Sequence, residues 1–232
     1  MLTNRSAEKE LMDLGGDFYT QEEYEQCLKQ LFKINKITGI FGHTVKLLKK
    51  FPKNSSISDV GCGGGLFLLH LSKYYPDMEM LGMDISKEAI VIAKNELEQW
   101  KKGNETINVR FALQEGNELG LSPDSSDVIL LNLVCHHLED EELITFLKKA
   151  VKSVRVGLII NDLHRNKVAY WAYKLLCPLF FRNRLIRNDG LVSIERSFTR
   201  QELAYLLRRA DIYNYQIKWC FPFRWSVVVW KK

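Results

Sequence analysis

Long apolar runs are missing from this 232-residue chain, and with them any segment fit to cross a membrane. The best candidate, Val168 to Phe181, is interrupted by Lys174 and falls short of the ~20 apolar residues a span needs. The first ten residues have no apolar core either, which excludes a secretory signal on their pattern. Cysteine is sparse. Cys27, Cys62, Cys135, Cys177 and Cys220 are odd in number and show no Cys-x-x-Cys spacing. Disulfides and a zinc site are therefore not expected, no metal site is assigned, and a reducing, cytoplasmic setting fits. Charge of one sign is also scarce. A net +5 with no long basic run argues against a nucleic-acid partner. No internal repeat and no low-complexity tract breaks the chain. What remains is an ordinary globular composition, 46% hydrophobic and 26% charged, long enough for one well-buried core.

The most informative stretch is Ile57-Ser58-Asp59-Val60-Gly61-Cys62-Gly63-Gly64-Gly65. A short β-prone run reaches an acid, breaks into glycines and enters an apolar-periodic helix, Leu66 to Tyr75. Gly61 and Gly63 have no side chain to hold a ligand away from the backbone. The following helix points its unpaired N–H groups and positive dipole end at the same place. A second strand then ends at Asp84, 19 residues after Gly65. An acid at that strand tip accepts hydrogen bonds from ribose hydroxyls in nucleotide-binding α/β units.

The glycine spacing argues about which nucleotide. A dinucleotide fingerprint wants a third glycine where Leu66 stands. Asp59 would repel a pyrophosphate, yet it suits a ligand that carries an ammonium group and no phosphate. S-adenosylmethionine is such a ligand. At this point the chain resembles the class I S-adenosylmethionine-dependent methyltransferases, whose first motif this is. The readings kept beside it are a nicotinamide-dependent oxidoreductase and an S-adenosylmethionine-binding protein without catalysis.

The rest of the chain alternates as a parallel doubly wound sheet requires. Strands are expected at Ile57–Val60, Glu79–Met83, Ile107–Leu113, Asp127–Leu133 and Val156–Ile160. Helices are expected at Leu66–Tyr75, Lys87–Trp100 with Ser86 as cap, and Glu141–Val154. Two aromatic, β-branched runs, Tyr213–Phe221 and Phe223–Trp230, read as a terminal antiparallel hairpin. The expected architecture is thus α/β: a doubly wound, mostly parallel seven-stranded sheet with a C-terminal hairpin. Residues 1–52 read as a helical cap, with Thr20 and Glu23 at capping-box spacing and Gly39 and Gly42 as punctuation. Residues 53–232 read as the cofactor-binding domain, with a lid insertion near 165–197. A second capping box, Thr199 to Glu202, opens a helix at Leu203–Ala210.

The resemblance assigns roles at the strand tips. It implies Asp59 on the methionine ammonium, with Gly61, Gly63 and Gly65 against the methionine portion. It implies Asp84 on the ribose and Ile85 on the adenine face. Asn117 and Glu118, after the third strand, stand where the family has its adenine-binding acid, and Asn132 ends the fourth strand. Asn132-Leu133-Val134-Cys135-His136-His137-Leu138 is similar to the fourth-strand segment of small-molecule methyltransferases. That makes His136 and His137 candidates to take a proton from an acceptor, with His164 as a rival after strand five. Metal ligation by adjacent histidines is not expected, since neighbours in an extended chain point apart.

Asn161-Asp162-Leu163-His164-Arg165, Arg184 to Gly190, Ser197-Phe198-Thr199, Leu11-Met12-Asp13 and Ile34-Asn35 narrow the likeness. Together they are similar to a group of bacterial methyltransferases often encoded beside type III polyketide synthases. Arg155-Val156-Gly157 replaces the wider family's Pro-Gly-Gly turn, so one loop away from the site should differ. The resemblance implies a small, lipophilic acceptor, phenolic, pyrone-like or quinone-like. Peripheral contact with a membrane or lipophilic substrate is the partner expectation that goes with it; oligomeric state is not legible.

Overall fold

Capping chemistry fixes where the helices begin. In the computed structural model, which describes residues 2–103, 107–115 and 119–231, Thr20 Oγ1 accepts from the Glu23 amide and Glu23 returns the bond to Thr20 N–H, both at 3.1 Å. That reciprocal pair opens α1 (Gln21–Ile37). Gly39, with φ 79°, starts α2 (Ile40–Leu48). Gly42 lies inside α2 and does not punctuate the chain as its type suggested. Nor are residues before Thr20 mainly helical. Among the described residues before Thr20 the only helix is a 3-10 turn, Leu11–Leu14, with bends at residues 3–4 and a turn at 16–17.

The sheet then forms nearly where the apolar runs place it. β1 is Ile57–Val60, β2 Met80–Asp84, β3 Val109–Leu113, β4 Ser126–Asn132 and β5 Val154–Leu163. The connecting helices are α3 (Leu66–Ser72), α4 (Lys87–Lys101) and α5 (Asp140–Ser153). Ser86 caps α4 by accepting from the Ala89 amide at 3.0 Å. After β5 come α6 (Lys167–Phe180), α7 (Arg184–Arg196) and α8 (Arg200–Arg209), then β6 (Tyr215–Cys220) and β7 (Arg224–Trp230). Strand order is β3-β2-β1-β4-β5-β7-β6, with β7 alone antiparallel to its neighbours. This is the Rossmann-like methyltransferase fold. The chain leaves β1 toward β2 on one side and resumes at β4 on the other, so the crevice beyond their carboxyl ends is the topological switch point.

Two apolar layers sandwich the sheet. α5 and α8 cover one face around Leu131, Leu158, Phe198 and Leu206. α2, α3 and α4 cover the other around Leu48, Leu68, Met80 and Leu97. Full burial of one such Leu or Phe side chain is worth roughly 1.5–3 kcal/mol. A third cluster lies outside both layers. Tyr24 and Cys27 of α1 meet Ile92 of α4 and Leu185 and Ile186 of α7, so the first helix and the late helices pack on each other.

Two departures from the expected boundaries have physical causes. α5 passes directly into β5 without a loop, where the Pro-Gly-Gly turn is missing. Arg155 is held there by Asp127 at 2.6 Å, and any side chain at Gly157 would meet the Val229 carbonyl. β5 also runs three residues beyond Ile160, because its polar end is satisfied by side chains. Asn161 bonds Asn132 and Thr44, and Asp162 bonds His136.

Candidate active site

A cavity of about 1010 Å³ opens beyond the carboxyl ends of β1, β2, β4 and β5. That is the upper end of the range for ligand sites, room for more than one small molecule. Asp59, Gly61, Gly63, Gly65, Asp84, Ile85, Asn132, His136, His137 and His164 all line it, so positions spread over 106 residues of sequence meet in one place. Asn117 and Glu118 lie outside the described residues.

The glycine loop and two buried acids form one end. Asp59 is 2% exposed, and its Oδ1 accepts from Asn132 Nδ2 at 3.2 Å. Asn132 is aimed by Asn161, which donates to its Oδ1 at 2.8 Å. Burial, reinforced by the nearby Asp84 charge, pushes the Asp59 carboxyl up to about 7. Asp84 accepts from the Gly63 amide at 2.8 Å and the Ser86 amide at 2.9 Å, and burial raises it too. Two desolvated carboxyls beside a bare glycine loop are a site built to receive a cation and hydroxyl donors.

The glycines are required here for different reasons. Gly61, φ 72°, would drive a Cβ to 2.4 Å from the Val134 side chain. Gly65, φ 75°, would strike Phe111 and Ala93, so it serves the packing of α3 against the sheet as much as the cavity. Ile85 is 59% exposed at the cavity edge, an apolar surface available to a flat ligand. Leu133 adopts φ 59° directly after Asn132, a costly conformation for a branched side chain and one that recurs at functional sites.

The histidines divide by environment. His136 is buried, with Nδ1 2.7 Å from Asp162 Oδ1 and Nε2 3.3 Å from Glu10 Oε1. Burial alone would lower its pKa, but the Asp162 and Glu10 carboxylates outweigh that and push it up to about 10. It is therefore an imidazolium at neutral pH with no free ring nitrogen. His137 is partly exposed, and its Nδ1 lies 2.9 Å from Asp13 Oδ2. Burial would raise the Asp13 carboxyl, yet the His137 contact outweighs it and holds Asp13 below its usual range. An ionised Asp13 holds Nδ1 as the donor, and Nε2 lies 4.0 Å from Glu10 Oε2. His164 differs again. Its Nδ1 accepts from Trp219 Nε1 at 3.3 Å, which leaves the proton on Nε2, and burial with the Arg165 charge lowers its pKa.

The two adjacent rings do not point apart. They are tilted on one another, centroids 4.3 Å apart, at the end of the 3-10 turn Cys135–His137. Glu10, His136 and His137 consequently place ligating atoms within 4.8 Å of one another, a grouping the sequence spacing hid. The Glu10 and Asp162 carboxylates already satisfy the His136 ring.

Several residues that shape the site have no role assigned from the sequence. Glu10 and Asp13 arrive from the N-terminal segment, which is held down by Asp189 accepting from the Leu11 and Met12 amides. Gly190 lies within α7 because Tyr173 of α6 occupies the space a side chain would need. Arg165 is buried and ties Ser197, Glu202 and Thr3 together. Arg184 pairs with Glu23 and joins α7 to α1. Arg224, 5% exposed in the cavity wall, was marked by nothing but its place in an aromatic run.

Comparison with known proteins agrees with this geometry. Residues 57–157 match the methyltransferase domain family. The chain is 29% identical over 168 residues to the release factor glutamine methyltransferase of Caulobacter vibrioides, covering 71% of this chain and 54% of that protein. It is 26% identical over 185 residues to the ajmaline N-methyltransferase of Rauvolfia serpentina, covering 72% and 61%. It thus spans little more than half the length of these curated relatives. Among solved structures, the plantazolicin methyltransferase in complex with SAH superposes with TM-score 0.63 at 19% identity, covering 96% of this chain and 99% of that one.

Proposed function

We propose that this chain, with the class I methyltransferase fold and a methyltransferase domain at residues 57–157, is an S-adenosylmethionine-dependent methyltransferase acting on a small lipophilic acceptor. One observation carries the reading. Asp59 and Asp84, both desolvated, flank a glycine loop that can take a ligand against its backbone. A pyrophosphate would meet a buried acid at that spot, which disfavours a nicotinamide cofactor. When bound, S-adenosylmethionine supplies a methyl group on a positively charged sulfur, already activated for in-line displacement.

The protein's own residues then orient, exclude water and manage a proton. Asp59 is placed for the ammonium and Asp84 for the ribose hydroxyls, with Ile85 beside the adenine. His137, held by Asp13, is the group best arranged to take a proton from an acceptor oxygen or carbon. His164 presents a donor instead. Orientation alone can lower such barriers by about 7–11 kcal/mol. Phenolic, pyrone-like or quinone-like acceptors, as the sequence resemblance implies, fit a cavity walled by Leu31, Phe146, Ala169 and Phe223.

α6 supports lipophilic access. Its Val168, Trp171, Leu175, Leu176, Leu179 and Phe180 are at least half exposed and recur at helical spacing along one stripe. Lys167, Lys174, Arg182 and Arg187 are exposed along and beside it, and residues 163–188 hold no Asp or Glu. A basic-rimmed apolar stripe suits peripheral contact with an anionic membrane surface, while two copies of it would repel. No helix among the described residues is long and apolar enough to cross a membrane. Calorimetry with S-adenosylmethionine and S-adenosylhomocysteine tests the cofactor. Transfer of labelled methyl groups to a panel of alkylated phenols and hydroxypyrones tests the acceptor. Absence of heat with either nucleoside would refute the assignment.

A further inference from the structure

Arg224 opens β7 in the cavity wall beside Pro222 and Phe223. Its Nη2 donates to Asn35 Oδ1 at 2.9 Å. Its Nη1 is buried and has no hydrogen-bond partner among the described residues. The carboxylate whose field reaches it, Asp162, is already committed to His136 and to the Leu163 amide. Burial pushes the guanidinium down to about 10, so it keeps its charge at neutral pH. A buried cation with one edge unpaired is costly unless something completes it. The turn that delivers it is also costly: Phe223, the residue before, has φ 48°.

The placement along the sheet says what would complete it. Asp84 ends β2 and Asp59 stands in β1, while Arg224 begins β7. In the order β2-β1-β4-β5-β7, Arg224 is three strand steps from Asp59, roughly 14 Å at about 4.8 Å per step. Acids stand where the cofactor's ammonium and ribose would belong, and a planar cation stands three strands away, beside His164. Glu10, Asp13 and Asp189 also line the cavity, but each is engaged: by His136, by His137, and by the Leu11 and Met12 amides.

We infer that Arg224 anchors an anionic oxygen of the acceptor, so that the molecule methylated is an acid carrying a carboxylate or an ionised phenolic or enolic oxygen. This rests on the methyl-transfer reading and narrows its substrate class. Guanidinium is suited to the task because its planar donor fork matches such oxygens and stays charged in an apolar wall.

The test uses protein saturated with S-adenosylhomocysteine and calorimetry with three probes of equal tail: 4-hexylbenzoate, 4-hexylbenzamide and 4-hexyl-2-nitrophenol, whose hydroxyl ionises near neutral pH. The benzoate should bind about ten- to a hundredfold more tightly than the benzamide, the worth of a charged hydrogen bond. Tight binding of the nitrophenol as well assigns the anchor to any anionic oxygen; benzoate alone assigns it to carboxylates. Arg224→Met should remove the preference and Arg224→Lys should keep a weaker one. If Arg224→Met does not fold, the wild-type contrast and the lysine variant still decide. Equal binding of benzoate and benzamide by the wild type, or a preference retained in Arg224→Met, overturns the anchor. Heat from S-adenosylhomocysteine without any preference sinks the anchor alone. Preference without that heat sinks the cofactor reading instead.

Discussion

Replacing Asp59 by asparagine sets stability against binding. The buried carboxyl is pushed from an ordinary value near 3.8 up to about 7, chiefly by desolvation. A folded pKa above the unfolded one means that the folded state holds the proton more tightly. The cost of keeping Asp59 ionised is therefore absent below about pH 4, grows from pH 4 to 7, and is constant above. Roughly three pH units at about 1.36 kcal/mol each give a ceiling of about 4 kcal/mol at pH 8. Asp59→Asn removes this cost while still able to pair with Asn132. Urea unfolding without ligand should find the variant more stable than wild type at pH 8 and equal to it at pH 4. The same variant should bind S-adenosylmethionine more weakly, having lost the charge that faces the ammonium. Wild-type binding at pH 6 should release a proton, seen as heats that differ between phosphate and imidazole buffers. Affinity should climb as pH rises toward 7. An Asp59→Asn protein no more stable than wild type at pH 8, or buffer-independent heats at pH 6, would refute the argument.

Asp84→Ala should weaken S-adenosylmethionine and S-adenosylhomocysteine alike, by about 1.5–3 kcal/mol for each charged hydrogen bond removed; unchanged calorimetric affinity would count against the ribose role. His137→Gln should lower turnover about 10²–10⁴-fold with cofactor affinity preserved, the range for one general base. His164→Gln, which loses a donor and a Trp219 contact, should cost less in rate; a larger loss than His137→Gln would reverse the assignment. Leu175→Ser with Leu179→Ser should abolish co-sedimentation with phosphatidylglycerol vesicles and leave cofactor binding intact; wild-type protein that ignores such vesicles, or pairs through α6 in sedimentation velocity, would remove the membrane reading. Amide exchange should slow in α6 on adding S-adenosylhomocysteine and a lipophilic acid while residues 8–14 stay protected throughout; uniform protection of α6 in both states would make it ordinary packing.

The glycine-loop end of the cavity was legible because its residues sit close in sequence and each obeys a local rule. Asp59 precedes the glycine turn, Asp84 ends the next strand, and both lie where backbone geometry puts strand tips together. The capping boxes at Thr20 and Thr199 were legible for the same reason. The histidine end was not. Asp13 and His137 touch across 124 residues, and no periodicity announces such a pair. Polar Asn161 and Asp162 looked like the end of β5, yet they continue it, because Thr44, Asn132 and His136 satisfy them inside the core. Asn188-Asp189-Gly190 consists of residue types that favour turns. It is helical, since Asp189 is engaged with the Leu11 and Met12 amides and Gly190 clears Tyr173. In each case a tertiary partner overrode a local preference.

Those partners also decide which wall of the cavity can move. The N-terminal segment looks like a lid by position, but it is bolted to the histidine turn. Arg196 of α7 donates to the His136 and His137 carbonyls and to Glu8, and Arg5 reaches the Leu138 carbonyl and Asp140. Glu10 completes the ion triad through His136. The His136 pKa, raised to about 10, keeps its share of that stability complete below about pH 6.5, and the share declines progressively from there until it is gone above about pH 10. The Glu10 carboxyl is lowered by both histidines despite burial, so its share is lost only in acid. Between those limits the segment stays latched, and it presents Asp13 to His137 in a fixed place. α6 has the opposite character. Only Ala169 and Cys177 of its fourteen residues are buried, and its apolar stripe faces outward. Elements with few buried contacts open at the lowest cost. On the proposed reading, a lipophilic acid would enter past α6, carry its anionic end toward Arg224, and meet His137 already held in place through Asp13.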